Sequence, residues 1–243
     1  MNTALGRYKC IAFDAVGTTI QPSPPAAEVY YKVARRFGSR LAQDEIARRF
    51  RIAFRETEQG DLAAPLEVRL ITSEAREQER WRQIVRTVID DIADATACFE
   101  ELFGHFARPA AWECFADVPA VLARLKADGY CLALASNFDR RLHAVCDGIV
   151  ALRAFDLRVI SSETGCRKPG RAFFEALVSR AGCRPEEVLM VGDDEANDIV
   201  GARRAGLAAL LVNRRERPRP GAISSLAELP EILAGGHSPA AGS

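Results

Sequence analysis

The sequence predicts an α/β fold in which a parallel β-sheet is flanked by helices and an all-helical segment is inserted after the first strand. One observation is the region from residue 112 to 212, where short apolar runs alternate with amphipathic segments, as they do in βαβ units. The other is an isolated apolar run at residues 9–14. It is followed, from residue 21 to about 110, by apolar side chains at helical spacing.

The inserted segment is predicted to hold about four helices. Ser23, which is followed by two prolines, is expected to cap the first of them, and Gly38 suits its C-terminal end. Ser73 and Asp94 are expected to cap later helices. The aromatic residues of this segment are expected to pack into its core.

The alternating region supplies the other elements of the sheet. Because strands joined through helices run parallel, the strand at 9–14 is expected to lie in the same sheet. The chain is therefore predicted to divide into a discontinuous core of residues 1–20 and 111–243 and a helical domain of residues 21–110. Helices are predicted at 118–128, 140–150, 172–181 and 198–205, and strands at 131–135, 157–160, 188–191 and 209–212.

The composition excludes several classes of function. The 33 basic and 33 acidic residues balance, which argues against a protein that binds nucleic acid. No apolar run approaches the roughly 20 residues needed to cross a membrane. The seven cysteines are scattered, so neither a zinc site nor a disulfide framework is expected. We expect a cytoplasmic protein that is a monomer or homodimer and binds neither nucleic acid nor a membrane.

Polar residues follow four of the predicted strands, at the point where each strand ends or just beyond it. Parallel sheets place ligand sites at the carboxyl ends of their strands, so these side chains are expected to converge. They are Asp14, Gly17 and Thr18 after the first strand, Ser136 and Asn137 after the strand at 131–135, Lys168 beyond the strand at 157–160, and Asp193, Asp194 and Asp198 after the strand at 188–191.

Such a set suits metal-assisted phosphoryl chemistry. Mg²⁺ prefers oxygen ligands, which Asp14, Asp193 and Asp198 can supply. Without a cation, a carboxylate nucleophile and a phosphate at ~4 Å would repel each other by roughly 4 kcal/mol per charge pair. Lys168 would add a positive charge, and Ser136 would offer a hydroxyl group near the start of a helix.

The motifs DAVGT, SN, KP and GDDEAND, in this order, resemble the four motifs of the haloacid dehalogenase-like (HAD) superfamily. The helical insert resembles that of its subfamily with a helical cap, and DAVGT is similar to a REG-2-like branch. The resemblance extends over almost the whole chain. It implies a Rossmann-like parallel sheet with an all-helical cap, Mg²⁺ as the cofactor and a phosphorylated small molecule as the substrate.

The resemblance also implies roles for individual residues. Asp14 would be the nucleophile that forms an aspartyl-phosphate, and Lys168 would be the second catalytic residue. The role of Asp194 stays open. The Mg²⁺ ligands would be Asp14, the backbone carbonyl of Val16, Asp193 and Asp198, and the phosphoryl group would be bound by Gly17, Thr18, Ser136, Asn137 and Lys168.

The sequence departs from the pattern of the phosphatases it resembles at Val16. They usually carry a second Asp there, which protonates the leaving group and later activates water. A general acid typically contributes about 10²–10⁴-fold, or roughly 3–5 kcal/mol. We therefore expect slower catalysis rather than none, with acyl phosphates and anhydrides affected least.

Three alternatives stay open. A 2-haloacid dehalogenase would use Asp14 without a metal, and would leave the acids at 193, 194 and 198 crowded without a counter-ion. Phosphonate hydrolysis would need a lysine in the cap, where the insert offers Lys32. A non-catalytic module that binds Mg²⁺ and phosphate would explain Val16.

The arginine-rich run after the last predicted strand has two possible interpretations. It contains several arginines together with prolines, which could form an anion site. We interpret it as a solvated loop. The arginines concerned are Arg214, Arg215, Arg217 and Arg219.

Overall fold

The computed structural model of the chain describes residues 7–65, 68–214 and 219–235. Six of its strands form one sheet in the order β5-β4-β1-β6-β7-β8, and β2 pairs with β3. Every neighbouring pair in the six-stranded sheet is parallel. The strands are β1 (Cys10–Phe13), β2 (Ile20–Pro22), β3 (Trp112–Cys114), β4 (Cys131–Ser136), β5 (Leu157–Ile160), β6 (Val188–Gly192), β7 (Ala208–Val212) and β8 (Ala222–Ile223).

The helices confirm the predicted α/β class and its helical insertion. Four of them, α1 to α4, lie between β2 and β3 and are called the cap below. The predicted helix at 198–205 differs in form, because a π-helical turn over Glu195–Val200 precedes a short helix. The helices are α1 (Ala26–Arg36), α2 (Gln43–Ala63), α3 (Glu74–Val88), α4 (Ala95–His105), α5 (Val118–Ala127), α6 (Arg141–Gly148), α7 (Ser161–Thr164), α8 (Arg171–Ala181), α9 (Gly201–Arg204) and α10 (Leu229–Ala234).

The central strand β1 is buried on both faces. Cys10 and Ala12 pack into the apolar core on one side of the sheet, and Ile11 and Phe13 pack into the core on the other side. This alternation follows from the two-residue period of a strand. Burial on both sides explains why β1 is a continuous apolar run, and it fixes the position of the residue that follows it.

The cap has an apolar core of its own, formed by side chains of α1 to α4. The predicted helix N-caps at Ser73 and Asp94 are confirmed. Each of these side chains accepts a hydrogen bond from the backbone N–H three residues further along the chain. The prediction that Ser23 is the N-cap of α1 is wrong, because α1 begins after Pro25. The backbone N–H of Ser23 instead donates to the carbonyl of Ala111 at 2.9 Å.

The two chain segments that join the cap to the sheet lie side by side. β2 and β3 pair antiparallel there, with Ile20 opposite Cys114 and Pro22 opposite Trp112. Residues 21 and 22 are therefore strand rather than helix, and the domain boundaries at 20/21 and 110/111 stay predictions. None of the described helices is long and apolar enough to cross a membrane.

Candidate active site

Asp14 lies at the carboxyl end of β1, where its backbone N–H donates to the carbonyl of Val191 at 2.9 Å. On one side, β4 ends at Ser136, and on the other β6 ends at Gly192, directly before Asp193. The chain leaves β1 for one side of the sheet and later returns to the other side. Open parallel sheets bind ligands at such a reversal of strand order.

Lys168 links two of the predicted acids. Its ammonium nitrogen lies 2.7 Å from Oδ1 of Asp14 and 2.6 Å from Oδ1 of Asp198, and it also donates to the carbonyl oxygen of Ala135 at 2.8 Å. The side chain of Lys168 is almost fully buried. All three hydrogen atoms of the ammonium group therefore have an acceptor, and the nitrogen is held beside Asp14.

Asn137 holds the backbone of Lys168. Its side-chain amide donates to the carbonyl oxygen of Lys168 at 3.0 Å, and its amide oxygen accepts from the N–H of Lys168 at 2.7 Å. Both ends of the amide are thus used within the protein. Ser136 is buried as the last residue of β4. The structure brings both residues to the same edge of the sheet as Asp14, as expected.

The three acids Asp14, Asp193 and Asp198 form one cluster. Each offers a carboxylate oxygen within 4.8 Å of the others. Asp14 and Asp198 are buried, whereas Asp193 is exposed and accepts a hydrogen bond from the hydroxyl of Thr18 at 3.1 Å. Several carboxylate oxygens in a small space are the donors that a hard divalent cation prefers, so the cluster fits Mg²⁺.

The electrostatics of the cluster also favour a cation. Burial raises the pKa of Asp198, and the positive charge of Lys168 only partly offsets this. Although Asp193 is exposed as a residue, the protein around its carboxyl group partly desolvates it, and this desolvation, followed by repulsion from Asp14, raises its pKa. Burial alone would lower the pKa of Lys168, but Asp14 and Asp198 raise it above its ordinary value. One ammonium among three carboxylates leaves a net negative charge, which a divalent cation would neutralise.

Two glycines make room for the carboxylates. A Cβ atom on Gly17 would lie 2.4 Å from Oδ2 of Asp193, and one on Gly192 would lie 2.1 Å from Oδ2 of Asp198. Gly17 also has a φ of +94°, which favours glycine. Gly17 therefore lets the turn after β1 pass close to Asp193, and the resemblance alone suggests its contact with a phosphoryl group.

Asp194, whose role the sequence left open, caps the π-helical turn. One of its carboxylate oxygens accepts from the backbone N–H groups of Ala196 and Asn197, both at 2.9 Å. Its own N–H donates to Oδ2 of Asp198 at 3.1 Å. Asp194 thus orients Asp198 rather than joining the acidic cluster. An Asp immediately before a helical turn is a preferred N-cap, and that signal was present in the sequence.

Arg214 supports the candidate site through contacts that the sequence does not predict. Its guanidinium donates twice to the backbone carbonyl of Thr18, at 3.1 and 2.7 Å, and once to Asp117 at 3.0 Å. It also lies 4.0 Å from the ring centroid of Phe115. These contacts fix the turn that follows Asp14.

The interpretation of the arginine-rich run as a solvated loop is therefore wrong for Arg214, because its guanidinium donates hydrogen bonds to Thr18 and Asp117 within the protein. It holds for Arg219, which is exposed and pairs with Glu195 at 2.8 Å. Arg215 and Arg217 lie outside the described residues.

A second contact between cap and core adjoins Lys168. Arg167, which is buried, lies 2.6 Å from Glu77, 3.5 Å from Glu58 and 3.6 Å from Asp61, all three on the cap. Close by, the N–H of Arg167 donates to the carbonyl of Leu70 at 2.8 Å. The residue next to Lys168 is thus tied to the cap by charge and by the backbone.

Val16 occupies the boundary between the acids and the cap. Its side chain is 38% exposed, whereas Asp14 and Ala15 are nearly or fully buried. It lines a cavity of about 240 Å³ between the cap and the core, together with Asn137 and a set of apolar cap residues. No proton can be exchanged by a valine side chain, so this position cannot supply a general acid.

The comparisons with known proteins agree with this geometry. The profile of the haloacid dehalogenase-like hydrolases matches residues 8–206. "Haloacid dehalogenase-like hydrolase domain-containing protein 3" of Danio rerio is 27% identical over 240 residues, which cover 92% of this chain and 95% of that protein. The "Glyceraldehyde 3-phosphate phosphatase" of Methanothermobacter thermautotrophicus is 38% identical over 102 residues, 41% of this chain and 44% of that protein.

A solved structure extends the similarity to the whole fold. The HAD phosphatase from Thermococcus onnurineus is 25% identical, with a TM-score of 0.65, and the match covers 95% of this chain and 99% of that one. The strand order, the helical cap and the four strand-end motifs are thus found together with a family match over most of the chain. The chain belongs to the haloacid dehalogenase-like hydrolases.

Proposed function

We propose that this hydrolase is a Mg²⁺-dependent phosphatase that transfers the phosphoryl group of a small molecule to Asp14 and then to water. The observation that carries the proposal is the position of Asp14. One of its carboxylate oxygens touches the Lys168 ammonium at 2.7 Å, and an oxygen of this group lies within 4.8 Å of Asp193 and Asp198. A carboxylate in this setting can approach an anion only when the Lys168 ammonium and a bound divalent cation together offset the negative charge of the acids.

The residues that would hold Mg²⁺ are Asp14, Asp193 and Asp198, with the backbone carbonyl of Val16. When bound, the ion would neutralise charge on the phosphoryl group and polarise its oxygens. Lys168 would place a second positive charge beside the same oxygens. Thr18 would hold Asp193, and Gly17 would let the backbone come close to the bound group.

The reaction has two displacement steps. An oxygen of Asp14 attacks phosphorus, the bond between phosphorus and the leaving oxygen breaks, and the electron pair departs on that oxygen. A water molecule then attacks phosphorus, loses a proton to solvent or phosphate, and breaks the bond to Asp14. Inorganic phosphate and a free carboxylate result, and the leaving group is released in the first step.

Val16 limits which leaving groups can depart, because it cannot protonate them. An alkoxide leaves poorly without a proton, whereas a carboxylate or a phosphate leaves readily as an anion. We therefore propose that acyl phosphates and anhydrides are turned over faster than alkyl phosphates, by a factor of about 10²–10⁴ that reflects the absent acid.

Two of the similar proteins, those of Methanothermobacter thermautotrophicus and Thermococcus onnurineus, are phosphatases, which supports phosphatase chemistry. The alternative of phosphonate hydrolysis finds no support in the described residues. Lys32 is exposed on α1 and pairs with Glu28, and it does not line the cavity between cap and core. The assignment to a REG-2-like branch, the monomer or homodimer and the cytoplasmic location stay predictions.

The experiment is phosphate release from acetyl phosphate with and without Mg²⁺. We expect turnover that needs Mg²⁺ and is lost in Asp14→Asn, with Asp44→Asn on the exposed start of α2 as the matched control. Release of halide from a 2-haloacid without Mg²⁺ would favour the dehalogenase. Binding of Mg²⁺ and beryllofluoride without turnover of any phosphate would favour the non-catalytic module.

A further inference from the structure

We propose that the substrate carries one phosphoryl group on a ring-sized apolar body, which is bound in the cavity beside Val16. This inference deepens the proposed function and rests on it, because it names the class of substrate for the same reaction centre. The juxtaposition that carries it is an aromatic cavity that meets the strand ends at Val16 and Asn137.

The lining of the cavity is almost entirely apolar. It comes from α1 to α4 on the cap side and from the turn after β1, β3 and the loop after β4 on the core side. Phe50, Phe54, Phe103 and both tryptophans of the chain, Trp81 and Trp112, contribute ring faces or edges. Such a surface favours an apolar ligand, because contact removes the apolar surface of both from water.

The charges around the cavity limit the ligand to one anionic group. Among the described residues that line it, Arg141 carries the one charged side chain. Its guanidinium makes two hydrogen bonds to Asp139, at 2.8 and 2.7 Å, and lies 3.6 Å from the ring centroid of Phe103. Asp139 is buried and already neutralises Arg141. A second phosphate or carboxylate on the substrate would therefore find no free cation here.

The size of the cavity indicates a ring rather than a short chain. Its volume is about 240 Å³, and an apolar cavity of roughly 150 Å³ is enough to bind benzene. A sugar or glycerol body would lose the water around its hydroxyl groups and find few partners, which is costly. An aromatic acyl group would satisfy the size of the cavity, the apolar lining and the lack of an acid at Val16 together.

The first test compares two acyl phosphates that differ in their apolar part. Benzoyl phosphate and acetyl phosphate both release a carboxylate, so neither needs a proton from the enzyme. With Mg²⁺ present, we expect kcat/KM for benzoyl phosphate to exceed that for acetyl phosphate by at least about tenfold. A ratio near one, with both acyl phosphates hydrolysed, would overturn the inference and leave the proposed phosphatase intact.

A matched pair of variants tests whether the preference for benzoyl phosphate over acetyl phosphate arises in this cavity. Ala26 lines the cavity and Ala27, its neighbour on α1, does not. Ala26→Leu should reduce the ratio of the two kcat/KM values at least about threefold by filling space, whereas Ala27→Leu should keep the wild-type ratio. Equal ratios in the two variants would contradict the location. Far-ultraviolet circular dichroism checks that both variants fold.

A binding measurement separates the failure of this inference from the failure of the proposed function. Since both tryptophans line the cavity, their fluorescence reports on its occupancy. 4-Bromobenzyl alcohol, which has no phosphate, should quench it saturably, with a midpoint shifted at least about threefold in Ala26→Leu. Saturable quenching without hydrolysis of either acyl phosphate would support the apolar site and refute the phosphatase. Quenching that never saturates and is equal in both proteins would overturn the apolar site.

Discussion

The Lys168 ammonium lies 2.7 Å from a carboxylate oxygen of Asp14, a residue 154 positions earlier in the chain. The same ammonium is 2.6 Å from Asp198, and the backbone that carries it is held by Asn137. Three strand ends thus fix one buried charge pair within the protein's own contacts. Preorganised charge of this kind stabilises a developing anion without further rearrangement.

Replacing Val16 with Asp tests what its position lacks. Val16→Asp should raise kcat on an alkyl phosphate by about 10²-fold, because an acid could then protonate the leaving oxygen. The gain on acetyl phosphate should be much smaller, since its carboxylate leaves without a proton. Val16→Asn is the control, as it has nearly the same size and cannot exchange a proton. An equal gain for Asn would show that polarity, and not proton transfer, is responsible.

Arg214 is expected to support the turn after Asp14 from a distance. Arg214→Met leaves the carbonyl of Thr18 without its donors and removes one of the three hydrogen bonds that Oδ2 of Asp117 accepts, and should lower the free energy of unfolding by about 1–3 kcal/mol. The Mg²⁺ concentration for half-maximal turnover should also rise. Urea unfolding and a Mg²⁺ titration measure the two effects. Arg219→Met, which removes an exposed pair, should change neither, and comparable losses in both variants would contradict this role.

Structure could be predicted from the sequence where a residue's environment follows from its neighbours in the chain. β1 is central and apolar on both faces, so its position and that of Asp14 could be read from one short run. The helix N-cap at Asp94 could be predicted because its side chain bonds to the backbone N–H of Ala97, only three residues away. Asp193, Asp198 and Lys168 were expected together because parallel strands end at the same edge of the sheet.

Other features depend on contacts between distant segments, which no local pattern specifies. Arg214 reaches Thr18 across 196 positions, and its surroundings in the sequence look like an exposed loop. Ser23 has the residue type of a helix cap but is held by Ala111 at the strand pair instead. The cavity forms only when helices of the cap face β3 and the turn after β1, so helical spacing alone could not reveal it.

Removing one partner of the buried ion pair between Arg167 and Glu77 should cost more stability than removing the charges of both. Arg167→Met leaves Glu77 buried, with Arg80 3.7 Å away as the remaining cation, and should cost about 3 kcal/mol of stability. Adding Glu77→Gln to this variant should recover part of the loss. Urea unfolding measures both. Arg171→Met, which breaks an exposed pair with Glu175, should cost less than about 1 kcal/mol. A double variant less stable than Arg167→Met alone would contradict this account.

His105 should make the stability depend on pH. Burial, followed by repulsion from Arg108 and Arg36, lowers its pKa below the ordinary value of 6.5. The unfolded chain therefore binds this proton more tightly than the native protein, and the contribution of His105 to stability falls as the pH drops through 6.5. The raised pKa values of Asp193 and Asp198 act in the opposite direction over this range, so the effect of His105 is measured as a difference between proteins. In urea unfolding at about pH 7.5 and about pH 5.5, the wild type should lose more stability, or gain less, than His105→Gln as the pH falls. His143→Gln, at an exposed ion pair, is the control, and an unchanged pH dependence in His105→Gln would contradict this role.

The central claim is that Asp14 carries the phosphoryl group during turnover, and capture of that intermediate tests it most directly. The enzyme is mixed with acetyl phosphate labelled in its phosphoryl group in the presence of Mg²⁺, quenched in acid and digested. Mass spectrometry then identifies the labelled peptide. We predict one acid-stable, hydroxylamine-sensitive label on Asp14 and none in Asp14→Asn. Label on another residue, or phosphate release by Asp14→Asn at the wild-type rate, would contradict the account.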